Sequence, residues 1–356
     1  MKRRSFLKGA ALTALATALP AGVSCSSRKK SVRETGLPPV AGEFSFHADG
    51  TFKVLQLTDT HYIAGDPRSE RALRCVEEML EKEKPDLVIH TGDVIFGAPS
   101  RESVLEILAP ISRRGIPFAV AMGNHDGQFD VPRAELYEII RSVPGCINRP
   151  AAEKGIAGDS NDVIVLSSPK GPERILYLFD SGDAVVLKGE ETLHSYDYIR
   201  YDQLGWYRTQ SLHWREVAGG SPVPSMAFFH IPLRELEDAL REGGELLSGN
   251  NCEPPCPSRL NSGLLAQMRE MQDIDALVFG HDHDCDYVLR YGGLYYIYGR
   301  YSGCDTVYNH LGRDGTGGEK VSGARIFEFL QGRPGFRTWV RLQGGEIQQM
   351  TDYFVN

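Results

Sequence analysis

The chain is 356 residues long and 41% hydrophobic, enough to bury one large core or two modest ones. Its 38 glycines and 20 prolines fit a loop-rich α/β protein and exclude a disordered one. A formal net charge of −8 argues against a nucleic-acid polymer as the main partner, but not against small phosphorylated molecules, because bound cations can reverse a local field.

Residues 1–30 read as an address and tether. Lys2-Arg3-Arg4-Ser5-Phe6-Leu7-Lys8 precedes an uncharged apolar stretch from Gly9 to Leu19, the length of a signal core and too short to span a bilayer. Consecutive arginines before Phe-Leu-Lys resemble a twin-arginine export signal, with Lys2 where Ser or Thr is usual. A periplasmic or membrane-anchored protein is therefore expected. Cys25 follows Gly22-Val23-Ser24, which resembles a lipoprotein box without its usual leucine, so a lipid anchor at Cys25 competes with cleavage at Ala16-Thr17-Ala18. Export makes pairing of the seven cysteines plausible. Cys252 and Cys256 could close a short bridge, Cys285 and Cys304 could pair across the last sheet, and Cys75 and Cys146 read as core thiols. None has the spacing of a structural zinc site.

From Phe44 the chain alternates regularly. Val54–Leu57 reads as a strand ending in Thr58-Asp59-Thr60-His61, and Ser69–Lys82 has helical spacing. Asp86–His90 is a second strand, ending in Thr91-Gly92-Asp93; Glu102–Arg113 is again helical. Phe118–Met122 is a third strand, ending in Gly123-Asn124-His125-Asp126. Strand, helix, strand with short joins implies right-handed crossovers and parallel strands, whose functional groups gather at their carboxyl ends. Val163–Ser167 and Ile175–Phe179 read as antiparallel strands and Tyr201–Trp214 as a helix. Ser225–Phe229 then leads into His230, Ser262–Met271 is helical, and Ala276–Phe279 ends in Gly280-His281-Asp282-His283. Tyr287–Arg290, Leu294–Tyr298, Ala324–Leu330 and Phe336–Val340 read as antiparallel strands that finish a sheet. No linker divides the chain after residue 45, so residues 45–356 read as one domain.

The strand-end residues are Asp59, His61, Asp93, Asn124, His125, His230, His281 and His283. Carboxylates, imidazoles and one amide form a borderline-hard donor set suited to Mn, Fe or Zn. Asp93 is the natural bridge, leaving donors for two divalent ions about 3.5–4 Å apart. His47, His90, His194, His213 and His310 read as surface or satisfied core histidines.

The ordered set Asp59-X-His61, Gly92-Asp93, Gly123-Asn124-His125-Asp126, His230 and Gly280-His281-Asp282-His283 resembles the calcineurin-like metallophosphoesterase superfamily, with its blocks in order from Lys53 to His283. The resemblance implies an α/β fold, a four-layer α/β/β/α sandwich with two mixed sheets. It also implies one metal held by Asp59, His61, Asp93 and His283, and another by Asp93, Asn124, His230 and His281. Leu176–Gly182, Phe229–Leu233, Asn261-Ser262-Gly263 and Tyr298-Gly299-Arg300 are similar to the branch of short plant purple-acid-phosphatase-like proteins and fungal Dcr-type phosphatases. True purple acid phosphatases place an iron-binding tyrosine three residues after the bridging aspartate. Here that position is Phe96, which implies an uncoloured centre.

Two cations sharing Asp93 would lower the pKa of a shared water and supply hydroxide at neutral pH. His125, beside the donors, is the candidate to contact phosphoryl oxygens or protonate the leaving oxygen, and Asp126 the candidate to orient it. Asn124 and Arg300 join His125 as candidate substrate contacts; for Arg300 a structural salt bridge is the alternative. Two classes of function stand: an exported phosphoesterase, with monoesters favoured over nucleotide or phospholipid diesters, and a catalytically silent metal-binding module. Loops 62–68, 183–200 and 243–262 should shape the pocket that chooses the substrate.

Overall fold

The computed structural model describes residues 40–188, 192–308 and 321–355. The expectations for residues 1–30, Cys25 included, and for His310 lie outside the described residues, as do positions 189–191 of the loop 183–200.

The chain begins with β1 (Gly42–Ser45), β2 (Thr51–Leu57), α1 (Glu70–Glu83), β3 (Leu87–His90), α2 (Ser100–Arg113), β4 (Phe118–Val120) and α3 (Arg133–Ser142). The middle comprises β5 (Asp162–Ser168), β6 (Gly171–Leu178), β7 (Ala184–Leu187), β8 (Leu193–Tyr196) and α4 (Tyr201–Val217). Then come β9 (Ser225–Phe228), α5 (Glu235–Arg241), β10 (Glu245–Ser248), α6 (Leu264–Met271) and β11 (Ile274–Phe279). Last are β12 (Val288–Tyr291), β13 (Leu294–Tyr298), β14 (Gly323–Leu330), β15 (Arg333–Leu342) and β16 (Ile347–Asp352).

Leu87, Val88, Ile89 and His90 are all buried, as a strand covered on both faces requires. Helix α1 turns Ala72, Cys75, Val76, Met79 and Leu80 to one side at three- and four-residue spacing and stops where Lys84 turns left-handed (φ 47°). One sheet has the order β16-β15-β14-β2-β3-β4, with β2, β3 and β4 parallel. The other has the order β1-β5-β6-β9-β11-β13-β12-β10, with β6, β9, β11 and β13 parallel. Alternation along β2 sends Leu55 and Leu57 toward Val76, Met79, Ile107 and Ile140 of the first three helices. Phe52 and Val54 face the opposite way and pack with Leu176, Met226, Phe228 and Val278 of the second sheet. On the far side of that sheet, Tyr177, Ala227 and Leu277 pack with Leu204, Tyr207, Leu264 and Met268 of α4 and α6. The layers are therefore α/β/β/α.

Several expectations change. Gly42–Ser45 pairs with β5, so the fold starts before residue 45. The last strands finish both sheets, since β12 and β13 join one and β14 and β15 the other, and β13 runs parallel to β11. Cys285 and Cys304 do not pair: they lie in the outer cores of different sheets. Cys252 and Cys256 are not bridged to each other either, the Cys256 sulfur turning to the Pro254 carbonyl at 3.7 Å.

Candidate metal centre

Parallel strands of both sheets end at one place. The loops after β2, β3 and β4 bring Asp59 and His61, Asp93, and Asn124 and His125; those after β9 and β11 bring His230, and His281 and His283. Asp59, His61, Asp93 and His281 all have left-handed backbone, with φ of 54°, 46°, 53° and 78°. Each costs about 1–3 kcal/mol for a non-glycine residue, so it persists only where surrounding bonds enforce it. Here the Asp59 and His61 amides donate to the Gly92 and Asp93 carbonyls, both at 3.0 Å. The loops approach so closely that a Cβ on Gly92 would lie 2.4 Å from the Gly123 nitrogen. One on Gly123 would lie 2.2 Å from the Asp93 nitrogen.

Two buried clusters result, Asp59, His61, Asp93 and His283, and Asp93, His230 and His281, each with one ligand atom per residue within 4.8 Å of the others. Asp93 belongs to both. Its Oδ2 lies 3.3 Å from His61 Nε2 and 3.2 Å from His230 Nε2, while its Oδ1 accepts the His125 amide at 2.8 Å. Asn124 joins the second cluster through its Oδ1, 3.0 Å from His230 Nε2. Asp59 accepts from Thr58 Oγ1 at 2.6 Å and lies 3.5 Å from His283 Nε2.

The donor set calls for a cation. His230 Nδ1 donates to the Thr91 carbonyl at 2.7 Å, which leaves Nε2 directed at Asp93 Oδ2, Asn124 Oδ1 and, at 3.3 Å, His281 Nδ1. One proton on Nε2 cannot serve three acceptors, whereas a divalent ion among them satisfies all four atoms. Electrostatics agree. Burial alone would lower His230, but the Asp93 charge and hydrogen bond, with Asp59 and the Thr91 carbonyl, raise it to about 9. Burial and the neighbouring His230 push His281 down to about 3, so its imidazole is neutral with a lone pair to offer. Burial would raise Asp93, yet His230 and His61 hold it well below the usual carboxylate range. The residues present thus fit divalent metal.

His125 sits at the rim, its side chain 30% exposed and its Nε2 4.0 Å from Asp93 Oδ2. Its partner is Gln128, not Asp126: His125 Nδ1 meets Gln128 Oε1 at 2.8 Å, and Gln128 Nε2 donates to Asp183 at 2.7 Å. Asp126 is buried and accepts the amides of Val94 (2.8 Å), Ile95 (3.3 Å) and Gly123 (2.9 Å), which turns it away from the expected role. Burial and Asp93 raise its pKa to about 6. Arg300 is also corrected. Its buried guanidinium meets Asp286 at 2.7 Å and the Val321 carbonyl at 2.6 Å, so the structural alternative holds.

Sequence reasoning also missed Arg133, which donates to the carbonyls of Met122, Gly123 and Asp126 and to Asp180, pinning the loop that carries Asn124 and His125. Nothing in its spacing signals this, because the contact depends on how α3 docks. Phe96 packs edge-on against His125 and His61, at 4.7 and 5.3 Å between centroids. The Tyr62 hydroxyl donates to Glu106 at 2.8 Å. His90 is a core histidine, held by Thr60 at 3.0 Å and the Gly92 amide at 3.2 Å.

A strand-end cluster of this kind between two mixed sheets defines a metallophosphoesterase, and residues 52–285 match the calcineurin-like phosphoesterase family. The chain belongs to that family of phosphoesterases. It is 30% identical over 289 residues to an Arabidopsis thaliana protein named probable inactive purple acid phosphatase 28, covering 71% of each chain. It is 28% identical to phosphatase DCR2 of Saccharomyces cerevisiae over 85% of this chain and 57% of that one. Among solved structures, a dimetal phosphatase from Danio rerio shares the fold at a TM-score of 0.55 and 14% identity, covering 85% of this chain and 99% of that one.

Proposed function

We propose that the chain is an exported phosphomonoesterase working with two divalent ions, Mn, Fe, Zn or a mixture. The observation that carries this reading is the Asp93 carboxylate, common to both clusters. Asp59, His61, Asp93 and His283 would hold one ion, and Asp93, Asn124, His230 and His281 the other. When bound, such ions lower the pKa of a water and offset charge on phosphoryl oxygens. The chain's own residues do the rest. The His125 amide fixes the shared carboxylate, and the Gln128 contact at Nδ1 leaves His125 Nε2 able to give a proton to the leaving oxygen. Export is supported by the residues from Lys2 to Leu19.

The test is hydrolysis of monoester, diester, nucleotide and phospholipid substrates by the mature chain loaded with Mn, Fe or Zn. We expect kcat/KM for monoesters to exceed that for diesters by about tenfold or more. A diester preference overturns the monoesterase reading. Several plant relatives carry the words probable inactive in their names, which favours a silent metal-binding module as the second reading. That reading requires metal retention without turnover on every substrate. For export, Arg3→Lys with Arg4→Lys should trap an active, uncleaved precursor in the cytoplasm, and a chain starting near Ser31 should remain active. Cell fractionation with activity assays checks both.

A further inference from the structure

A cleft of about 510 Å³ is lined by Ala184, residues 194–196, Arg234, Glu237 and residues 255–259. It adjoins the metal cluster, because the Tyr196 ring that forms one wall stands edge-on to His281 with centroids 4.4 Å apart. Its walls are tied together. Ser258 Oγ donates to the Tyr196 carbonyl at 2.8 Å, and the Arg259 amide donates to Ser195 Oγ at 2.9 Å. The Cys256 amide donates to Asp282 at 3.1 Å, joining the wall to the loop that carries His281 and His283.

Arg234 and Arg259 line this cleft with one carboxylate, Glu237. Among the described residues neither guanidinium forms an ion pair; Arg234 donates only to the Arg259 carbonyl, at 3.3 Å. Nearby Arg241, by contrast, is paired with Asp238 and Glu242. Two uncommitted guanidinium groups beside a phosphate-ester centre, in a chain of net charge −8, offer forked donors to an anion.

We propose that this cleft is the leaving-group subsite and takes a second anionic group, phosphate or carboxylate, carried by the substrate. The proposal rests on the phosphoesterase reading of the metal centre. The carbon skeleton joining the two groups would lie along Tyr196, whose ring gives an apolar surface with a polar tip.

The experiment compares matched probes that differ only in the second anion. Glucose 1,6-bisphosphate is set against glucose 6-phosphate as substrates, and 4-phosphonobutyrate against propylphosphonate as ligands. The phosphonates are measured by calorimetry on the metal-loaded protein and as inhibitors of p-nitrophenyl phosphate hydrolysis. The second anion should improve kcat/KM or affinity by about tenfold or more, the worth of one charge-assisted contact. Arg234→Ser with Arg259→Ser should erase that gain and leave p-nitrophenyl phosphate hydrolysis within about twofold of the parent. A gain with the bisphosphate alone assigns the subsite to phosphate, and one with the phosphonobutyrate alone to carboxylate. Equal values within both pairs, or a variant that loses ground equally on every probe, overturns the proposal. If p-nitrophenyl phosphate is not hydrolysed at all, the phosphoesterase reading fails, and the calorimetric pair still decides the subsite.

Discussion

The floor and the rim of the site are built in different ways. On the floor, Asp59, His61, Asp93 and His230 are at most 2% exposed, and backbone groups from other strands fix them, as the Thr91 carbonyl fixes His230. At the rim, His125 leans on Gln128 and through it on Asp183, and Tyr196 at the end of β8, Arg234 and Arg259 are exposed. Buried groups tied by backbone hydrogen bonds allow little adjustment, whereas exposed side chains can change without unfolding anything. On the proposed reading the floor sets the reaction class and the rim sets which ester is accepted.

The largest break in this contrast comes from its most buried carboxylate. Asp93→Asn should abolish hydrolysis and release at least one metal, since a neutral amide bridges two cations poorly. Metal analysis alongside turnover checks this, and full activity with two metals retained would sink the assignment. His125→Ala tests the boundary between floor and rim. Turnover should fall by roughly 10²–10⁴-fold with metal content unchanged, and less for nitrophenyl esters, whose leaving group needs no proton. Loss of metal in step with activity would make His125 a ligand.

Gln128→Leu sharpens the contrast further. It should slow alkyl esters by about tenfold, the worth of one orienting hydrogen bond, while nitrophenyl esters change far less. An equal loss on both would mean that Gln128 merely supports the loop. Arg300→Met should leave kcat/KM unchanged and lower stability by about 3 kcal/mol, because the buried Asp286 loses its ion pair. Chemical denaturation measures the stability change, and a defect confined to substrate affinity would return Arg300 to the site. The smallest effect is spectroscopic. Iron-loaded protein should lack a strong visible band, with Phe96 unable to bind iron and the Tyr62 hydroxyl committed to Glu106. A purple sample would place another phenolate on the metal.

The same division explains what could be read from sequence. The eight strand-end residues were legible because an apolar run that stops at Asp, His or Asn puts those groups at one sheet edge whatever the loops do. The parallel strands followed from the alternation of strands and helices, and the four layers from the family resemblance. What Asp126 and Arg300 touch was not legible, because their partners Val94, Ile95 and Asp286 meet them only through tertiary approach. Helix α3 and the hairpin of β7 and β8 are short and carry no motif, and Arg133 and Tyr196 stayed hidden with them. The cysteines show a further limit, since nearness in sequence for Cys252 and Cys256 does not direct the two sulfurs at each other.

Gly92 and Gly123 sit on different loops yet occupy each other's side-chain space, the first against the second's backbone and the second against Asp93. Their fates are joined in descent. A methyl group at Gly123 pushes on the shared carboxylate and one at Gly92 pushes on Gly123 and His230, so neither can change first without loss, and the effects of two changes should be non-additive. Such a pair closes off the stepwise mutational routes open to ordinary loop residues. Exposed positions such as Arg234 and Arg259 are under no such constraint.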